Sequence, residues 1–176
     1  MNTDIDEIKQ SIRDIYDFPV KGIVFKDLTT AFKNAKILNL ISTNLTNLYK
    51  DKGITKVVGI ESRGFIMGSI LANNLGAGFV LVRKPGKLPA DTIKESYKKE
   101  YGIDTVEIHA DALDETDIVL IHDDLLATGG TVAAVLNMVK RFHPKKIYIN
   151  FIAELEFLKG RDIFPEGTEI ESLIKF

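Results

Sequence analysis

The spacing of apolar residues changes after residue 56, and this change constrains the fold of the 176-residue chain more than any other feature of the sequence. Short apolar runs at residues 57–60, 79–82, 118–121 and 146–152 alternate with glycine- or proline-containing turns and helical patterns. Strands that are apolar nearly throughout are typical of parallel sheets covered on both faces by helices. The rhythm therefore predicts an α/β fold with a twisted, mainly parallel sheet flanked by helices.

Two amphipathic helices are predicted before this sheet, each with one apolar stripe at helical spacing. The first stripe consists of Ile5, Ile8, Ile12 and Ile15, and the second, behind a capping Asn34, of Leu38, Ile41, Leu45 and Leu48. A proline and a glycine within residues 17–22 break the first helix, so residues 23–30 are expected to form a loop or a short strand.

Composition excludes several functional classes. The chain has no cysteine, which rules out a disulfide framework, a Cys-ligated metal and a thiolate nucleophile. Its formal net charge of −2 lacks the basic excess of nucleic-acid-binding proteins. No apolar stretch approaches the ~18 residues that span a bilayer, and the N-terminal residues contain no signal-peptide pattern. We therefore expect one soluble, cytoplasmic domain over residues 1–176 with no nucleic-acid or membrane partner.

Residues 119–131 carry the strongest chemical signal. An apolar strand ends at the adjacent acids Asp123 and Asp124, and a small, glycine-containing loop then leads into a helix. Unpaired backbone amides at a helix start attract a phosphate, whereas the two acids suit the hydroxyls of a sugar attached to it. The loop has neither the lysine of a Walker A motif nor the spacing of a dinucleotide fingerprint. Alternatively, the acids cap a turn that the glycines close.

Two further loops are expected beside this one, because ligands of such sheets bind outside the carboxyl ends of the strands. They comprise residues 61–64 and 83–89. The stretch over residues 83–105 is long for a connection in a compact domain and is therefore predicted to be a lid or a binding loop. Alternating residues at 105–109 indicate a strand that pairs back.

The run at residues 119–131 resembles the phosphoribosyl pyrophosphate motif of the type I phosphoribosyltransferases. Further stretches resemble the adenine phosphoribosyltransferases within that family, and they occur in that family's order from residue 18 to residue 161. These stretches are Phe18-Pro19, GIVFKD at 22–27, GIESRGF at 59–65, RKPGKLP at 83–89, Tyr97 with EYG at 100–102, and Glu107-Ile108-His109. The combination is far more specific than the shared phosphate motif alone.

The resemblance implies the type I phosphoribosyltransferase fold, with an N-terminal hood at about residues 1–34 and a flexible lid at about residues 83–105. It also implies transfer of the 5-phosphoribosyl group from phosphoribosyl pyrophosphate to adenine, which gives AMP and diphosphate. The implied cofactor is Mg²⁺, held mainly by substrate oxygens instead of protein ligands, and the implied assembly is a homodimer.

A set of site residues follows from the same resemblance. The 5-phosphate is expected on Ala127, Thr128, Gly129, Gly130 and Thr131, the ribose hydroxyls on Asp123 and Asp124, and the diphosphate on Arg63, Lys84 and Lys87. For the base, Phe25 is expected to stack and Val24 to bond through the main chain, and Lys26 and Tyr101 are further expected substrate-binding residues. The expected catalytic residues are Arg63, Asp123, Asp124 and Glu100, and Glu100 is the candidate that handles the proton of the purine.

Several alternatives stay open on the sequence alone. The same sugar site would serve a 6-oxopurine phosphoribosyltransferase, or a non-catalytic module that senses phosphoribosyl pyrophosphate. Phe25 is otherwise a core aromatic, and Glu100 is otherwise a solvent-facing loop acid. His122 stands where the family usually has an aliphatic residue, and we expect it to hydrogen-bond within the core. The resemblance also implies a cis peptide at Glu61–Ser62.

Glu100→Ala is expected to lower turnover more than it weakens the binding of phosphoribosyl pyrophosphate, because the carboxylate is assigned to the purine and not to the sugar phosphate. Steady-state kinetics with each substrate varied separately measure the two effects. A defect confined to the affinity for the sugar phosphate would contradict the assignment.

Overall fold

A five-stranded sheet lies at the centre of the computed structural model, which describes residues 3–17, 21–22, 24–98 and 102–176. In chain order the elements are α1 (Thr3–Ser11), β1 (Arg13–Tyr16), β2 (Val24–Asp27), α2 (Thr29–Phe32), α3 (Ala35–Tyr49), β3 (Lys56–Ile60), α4 (Gly64–Leu75), β4 (Gly78–Val82), β5 (Thr92–Lys98), β6 (Ile103–His109), β7 (Ile118–Leu126), α5 (Gly130–Lys140), β8 (Lys146–Glu154) and β9 (Ile170–Lys175).

All four strand pairings of the central sheet are parallel, in the order β4-β3-β7-β8-β9. Apolar side chains cover both faces: Val57 and Leu120 pack with α3 and α4, whereas Val58 and Ile121 pack with α5. Neighbouring residues of a strand point to opposite faces, which explains why these strands are apolar nearly throughout. The predicted α/β fold with a parallel, helix-flanked sheet is confirmed. None of the helices within the described ranges is long and apolar enough to cross a membrane.

The strand that carries the paired acids is longer than the sequence predicts. β7 continues past Ile121 to Leu126, and Asp123 pairs in register with Phe151 of β8. Asp123 and Asp124 therefore lie within the strand and not in the loop that follows it. Aspartate has a low intrinsic preference for strands, but pairing with a neighbouring strand overrides that local preference.

The N-terminal segment contains a small antiparallel sheet where the sequence predicts the end of a helix. α1 ends at Ser11, and Ile15 lies in β1, which pairs with β2. A cross-strand ion pair from Lys26 to Asp14 (2.6 Å) favours the strand over another helical turn. The helical prediction is thus wrong for Ile15 and overruns the helix by one residue at Ile12, while the short strand expected within residues 23–30 is confirmed as β2.

The second predicted helix is confirmed as α3, and Asn34 caps it as expected. The Asn34 side-chain oxygen accepts hydrogen bonds from the backbone N–H groups of Lys36 (3.0 Å) and Ile37 (3.3 Å). α4 and α5 then follow β3 and β7, as the alternating rhythm predicts.

The segment over residues 83–105 is a hairpin over much of its length instead of a continuous loop. β5 pairs antiparallel with β6, so the strand predicted to pair back at residues 105–109 is confirmed. The mainly polar sequence of β5 hides it from a hydrophobicity pattern, because its residues are at most partly buried. Residues 99–101 lie outside the described part of the chain, and the boundaries of the hood and the lid stay predictions.

β9 is an edge strand that the sequence pattern does not predict. It follows two short 3-10 turns, at Glu156–Leu158 and Gly160–Ile163, and pairs parallel with β8. Its six residues mix apolar and polar types without strict alternation, which makes the sequence signal weak. Residues 18–20 and 23, which contain the Phe18-Pro19 stretch, lie outside the described ranges.

His122, directly before the paired acids, is fully buried. Its Nδ1 donates to Oδ1 of Asn150 on β8 (2.7 Å), while its Nε2 has no hydrogen-bond partner among the described residues. The prediction that His122 hydrogen-bonds within the core is confirmed. Burial lowers the pKa of His122 to about 4, because desolvation outweighs the hydrogen bond to Asn150 and the charge of Asp124.

Folding stability is expected to fall as the pH drops from about 6.5 to about 4. Over this window the unfolded state takes up a proton at His122 that the folded state excludes, so the free energy of unfolding falls by on the order of 3 kcal/mol. His122→Gln keeps a donor for Asn150 and removes this component, whereas His143→Gln at an exposed site retains it. Urea unfolding near neutral pH and at about pH 4.5 measures the difference. Equal pH dependence in the wild type and His122→Gln would contradict the assignment.

Candidate active site

An arginine and a buried aspartate join the carboxyl ends of β3 and β7. Arg63, just after β3, donates from Nε and Nη2 to the two carboxylate oxygens of Asp124 on β7. The Asp124 side chain is only 4% exposed, whereas that of Arg63 is 41% exposed and can therefore meet a ligand. Burial lowers the pKa of Arg63, but the hydrogen bond and the charge of Asp124 outweigh burial and raise it.

Asp123 lies beside this pair with its carboxyl group turned toward the start of α4. Its Oδ1 accepts a hydrogen bond from the backbone N–H of Asp124 (2.9 Å). A Cβ atom at Gly64 would lie 2.9 Å from the carbonyl oxygen of His122 and 3.0 Å from this Oδ1, so only glycine permits such a close approach. Burial and the neighbouring charge of Asp124 raise the pKa of Asp123 well above its ordinary value. The two acids therefore hold a second negative charge less readily than two isolated aspartates.

The N-terminal sheet extends the same cluster. The ring centroid of Phe25 on β2 lies 5.7 Å from the guanidinium carbon of Arg63. Lys26, the next residue of the strand, contacts Asp14 and lies 4.3 Å from the ring centroid of Phe176. Because neighbouring strand residues point to opposite faces, Phe25 faces the crevice while the Lys26 side chain faces away from it.

The loop between β7 and α5 forms a small concavity at a helix start. Gly129 has φ +81° and precedes the first turn of α5, which receives no hydrogen bond from a capping side chain. The loop lines a cavity of about 80 Å³ together with the end of β7. This is far below the ~300 Å³ of the smallest usual ligand pockets and suits one small anion at the unpaired amides.

Gly160 supports this loop from the other side, and sequence reasoning assigned it no role. A Cβ atom at Gly160 would overlap the carbonyl oxygen of Ala127, and one at Gly129 would lie 2.5 Å from the carbonyl oxygen of Gly160. Arg161, the next residue, holds this turn by donating to both carboxylate oxygens of Glu154 (2.7 and 2.8 Å). The only signal in the sequence was that the resemblance extends to residues 160–161.

Two glutamates fix the loop at residues 83–89. Glu61 pairs with Arg83 (3.1 Å) and accepts the backbone N–H of Lys84 (2.9 Å). Glu107, which is 1% exposed, accepts the backbone N–H of Gly86 (2.8 Å). Burial raises the pKa of Glu107, but its bonds to a lysine and to backbone amides outweigh burial and lower it. The loop therefore has a defined backbone before any ligand binds.

The two predicted lysines of this loop differ in their surroundings. Lys84 forms an ion pair with Asp104 on β6. Lys87 is exposed and has no ion pair with any residue that the structure describes. Arg63 and Lys84 are thus already paired with carboxylates, which the sequence did not reveal.

Comparison with known proteins identifies the family. A sequence model of the phosphoribosyl transferase domain matches residues 29–155. The adenine phosphoribosyltransferase of Bacteroides fragilis is 60% identical over 166 residues, which cover 94% of this chain and 93% of that protein. This chain belongs to the adenine phosphoribosyltransferase family.

Solved structures of the adenine phosphoribosyltransferase family share the fold over nearly the whole chain. The enzyme of Rhodothermus marinus superposes with a TM-score of 0.93 at 45% identity and covers 100% of both chains. The enzyme of Giardia lamblia, complexed with 9-deazaadenine, has a TM-score of 0.92 at 45% identity and covers 98% of this chain and 97% of its own. The predicted type I phosphoribosyltransferase fold and a pentosyl-transferring enzyme class are confirmed.

The structure brings most of the predicted adenine phosphoribosyltransferase site residues to one edge of the sheet. Arg63, Asp123, Asp124 and Phe25 form one cluster, and the loop after β7 continues from it. The Glu61–Ser62 peptide bond is cis, as the resemblance implies. Glu100 and Tyr101 lie outside the described residues, so their roles stay predictions.

No group of three or more His, Asp or Glu side chains that could hold a metal ion occurs among the described residues. The expectation that Mg²⁺ is held mainly by substrate oxygens stays a prediction. Sequence reasoning assigned no role to Glu61, Glu107, Tyr97 or Asp104, although the first three lie within the quoted motifs.

Gly160→Ala is expected to lower kcat/KM for phosphoribosyl transfer by ~100-fold, because the new methyl group pushes Ala127 and the loop after β7 out of the position expected to receive the 5-phosphate. Gly78→Ala is the matched control, since a methyl group there meets mainly the flexible side chain of Lys56. Steady-state kinetics together with thermal unfolding separate a local defect from loss of fold. Equal activity in the two variants would contradict the supporting role of Gly160.

Proposed function

We propose that the protein transfers the 5-phosphoribosyl group of phosphoribosyl pyrophosphate to adenine in purine salvage, forming AMP and diphosphate. The observation that carries the proposal is the cluster of Arg63, Asp123 and Asp124, which continues into the small anion-sized loop after β7. A cation, two acids and a phosphate cradle in this order match the parts of one sugar phosphate. The high identity to enzymes named adenine phosphoribosyltransferase supports the same reaction.

Phosphoribosyl pyrophosphate, the donor of the reaction, is expected to bind through its 5-phosphate, its ribose and its diphosphate. Backbone amides of residues 127–131 receive the 5-phosphate at the start of α5, where the helix dipole favours negative charge. Asp123 and Asp124 accept hydrogen bonds from the ribose 2- and 3-hydroxyls. Placing the acids within β7, before the loop, keeps their charge apart from that of the phosphate.

The diphosphate end of the donor is assigned to three cations. Arg63 has an accessible guanidinium group beside the sugar site, and Lys84 and Lys87 lie on the loop that Glu61 and Glu107 fix. Charge-assisted hydrogen bonds to a leaving diphosphate strengthen as its negative charge grows, so they stabilise the transition state more than the ground state.

The base is assigned to the crevice between β2 and the sugar site. Phe25 stacks on the purine. Among the described strands β2 pairs with β1 alone, so its other edge leaves main-chain groups of residues 24–26 available to hydrogen-bond the base. Main-chain donors and acceptors that fit adenine would be left unpaired by a 6-oxopurine. Unpaired buried polar groups discriminate more strongly than a missing apolar contact.

The chemical step breaks the bond from ribose C1 to the diphosphate oxygen, and the electron pair leaves with diphosphate. Purine N9 then bonds to C1 from the opposite face, which inverts C1, through an oxocarbenium-like transition state. The N9 proton passes to a base, for which Glu100 is the candidate. Because water competes for the same carbon, the β5–β6 hairpin is assigned to excluding water as part of the lid.

Mg²⁺ fits this site as a cofactor held with few protein ligands. Asp123 and Asp124 offer the hard oxygen ligands that Mg²⁺ prefers. Because Asp124 already forms an ion pair with Arg63, most ligands of the ion would come from substrate and water. When bound, the ion neutralises charge on the diphosphate. We also propose a cytoplasmic homodimer, for which the exposed Ile66 of α4 and Leu81 of β4 supply apolar surface.

Nucleotide formation from phosphoribosyl pyrophosphate tests the function when adenine, hypoxanthine, guanine and xanthine are supplied in parallel, with and without Mg²⁺. AMP formation from adenine alone, dependent on Mg²⁺, is expected. Preference for any 6-oxopurine would contradict the assigned base. Tight binding of the donor without any turnover would instead indicate a sensor.

A further inference from the structure

A chain of hydrogen bonds links the two loops that are assigned to opposite ends of the donor. The Thr131 hydroxyl at the start of α5 lies 2.9 Å from the Tyr97 hydroxyl on β5. The Tyr97 hydroxyl lies 3.2 Å from Oδ2 of Asp104 on β6, and the same oxygen pairs with Nζ of Lys84. The β5–β6 hairpin therefore contacts one residue of the 5-phosphate loop and one cation of the diphosphate site.

The Asp104 carboxylate sets the direction of the protons in this series of hydrogen bonds. A carboxylate paired with a lysine is an acceptor and has no proton to give, so Tyr97 must donate its single hydroxyl proton to Asp104. Thr131 must then donate its own proton to Tyr97. A phosphate that approaches the Thr131 hydroxyl meets oxygen lone pairs instead of an O–H donor, and a diphosphate that approaches Lys84 meets a neutralised cation.

We propose that Tyr97 and Asp104 are positioning residues that set the affinity for the donor by holding Thr131 and Lys84 away from it. The inference rests on the proposed function and extends it. Binding of the 5-phosphate requires Thr131 to turn its proton from Tyr97 to the phosphate, and binding of the diphosphate requires Lys84 to leave Asp104. Each event breaks one contact of the β5–β6 hairpin, so both ends of the donor act on the same element.

Direct binding of two ligands to three variants tests this inference. Isothermal titration calorimetry with Mg²⁺ and without adenine gives Kd for ribose 5-phosphate and for phosphoribosyl pyrophosphate. Tyr97→Phe frees the Thr131 proton and is expected to tighten both ligands by about two- to tenfold, the range to which one hydrogen bond corresponds.

Asp104→Asn is expected to tighten phosphoribosyl pyrophosphate more than ribose 5-phosphate. It removes the charge that holds Lys84, and only phosphoribosyl pyrophosphate has a diphosphate to use the released cation. Ser96→Ala is the matched control, because Ser96 makes a separate hydroxyl pair with Thr105 (2.9 Å) on the same hairpin. Its two Kd values are expected to equal those of the wild type.

Weaker or unchanged binding of both ligands by Tyr97→Phe would overturn the inference. Equal tightening of the two ligands by Asp104→Asn would overturn its Lys84 part. Thermal unfolding checks each variant, and if Tyr97→Phe does not fold, the ligand preference of Asp104→Asn decides. Wild-type protein that binds neither ligand would overturn the proposed function itself. If the wild type binds both ligands and turns over normally, while the variants have wild-type Kd values, only this inference would be overturned.

Discussion

The edge of the sheet that carries the candidate active site depends on one buried charge. The Asp124 carboxylate lies within β7 and is almost fully removed from water, so it requires a partner of opposite charge. Arg63 supplies that partner from the turn after β3, and it reaches Phe25 on the N-terminal sheet with the same guanidinium group. One ion pair thereby joins three segments distant in sequence, and removal of either member would leave the other charge uncompensated.

Paired charges also explain how a chain with a net charge of −2 can present an anion site. The cations Arg63, Arg83 and Lys84 each contact a carboxylate. Such pairs hold the side chains in place without a ligand, and under the proposed function an anionic substrate competes for some of them. The function requires local positive charge at the carboxyl ends of the strands, and an overall basic composition is unnecessary.

Local patterns predicted much of the fold. Each correct prediction depends on residues that are close together in the sequence. These are the apolar runs of β3, β4, β7 and β8, the apolar stripe of α3 and the Asn34 cap, and the structure contains each of them. The errors share one cause. Ile15 lies in a strand because β2 pairs with it, Asp123 extends β7 because β8 pairs with it, and the polar β5 exists because β6 pairs with it. Pairing with a distant strand overrides local preference.

The sequence by itself determined the parallel sheet, the loops at its carboxyl ends and the kind of ligand they suit, because periodicity and turn residues act locally. Only the tertiary structure decided which residues meet: Arg63 with Asp124, Lys84 with Asp104, and Gly160 with the backbone of Ala127. Those contacts join residues from about 20 to about 60 positions apart, and no local pattern specifies a partner at that separation, since it is the packing of whole elements that brings the partners together.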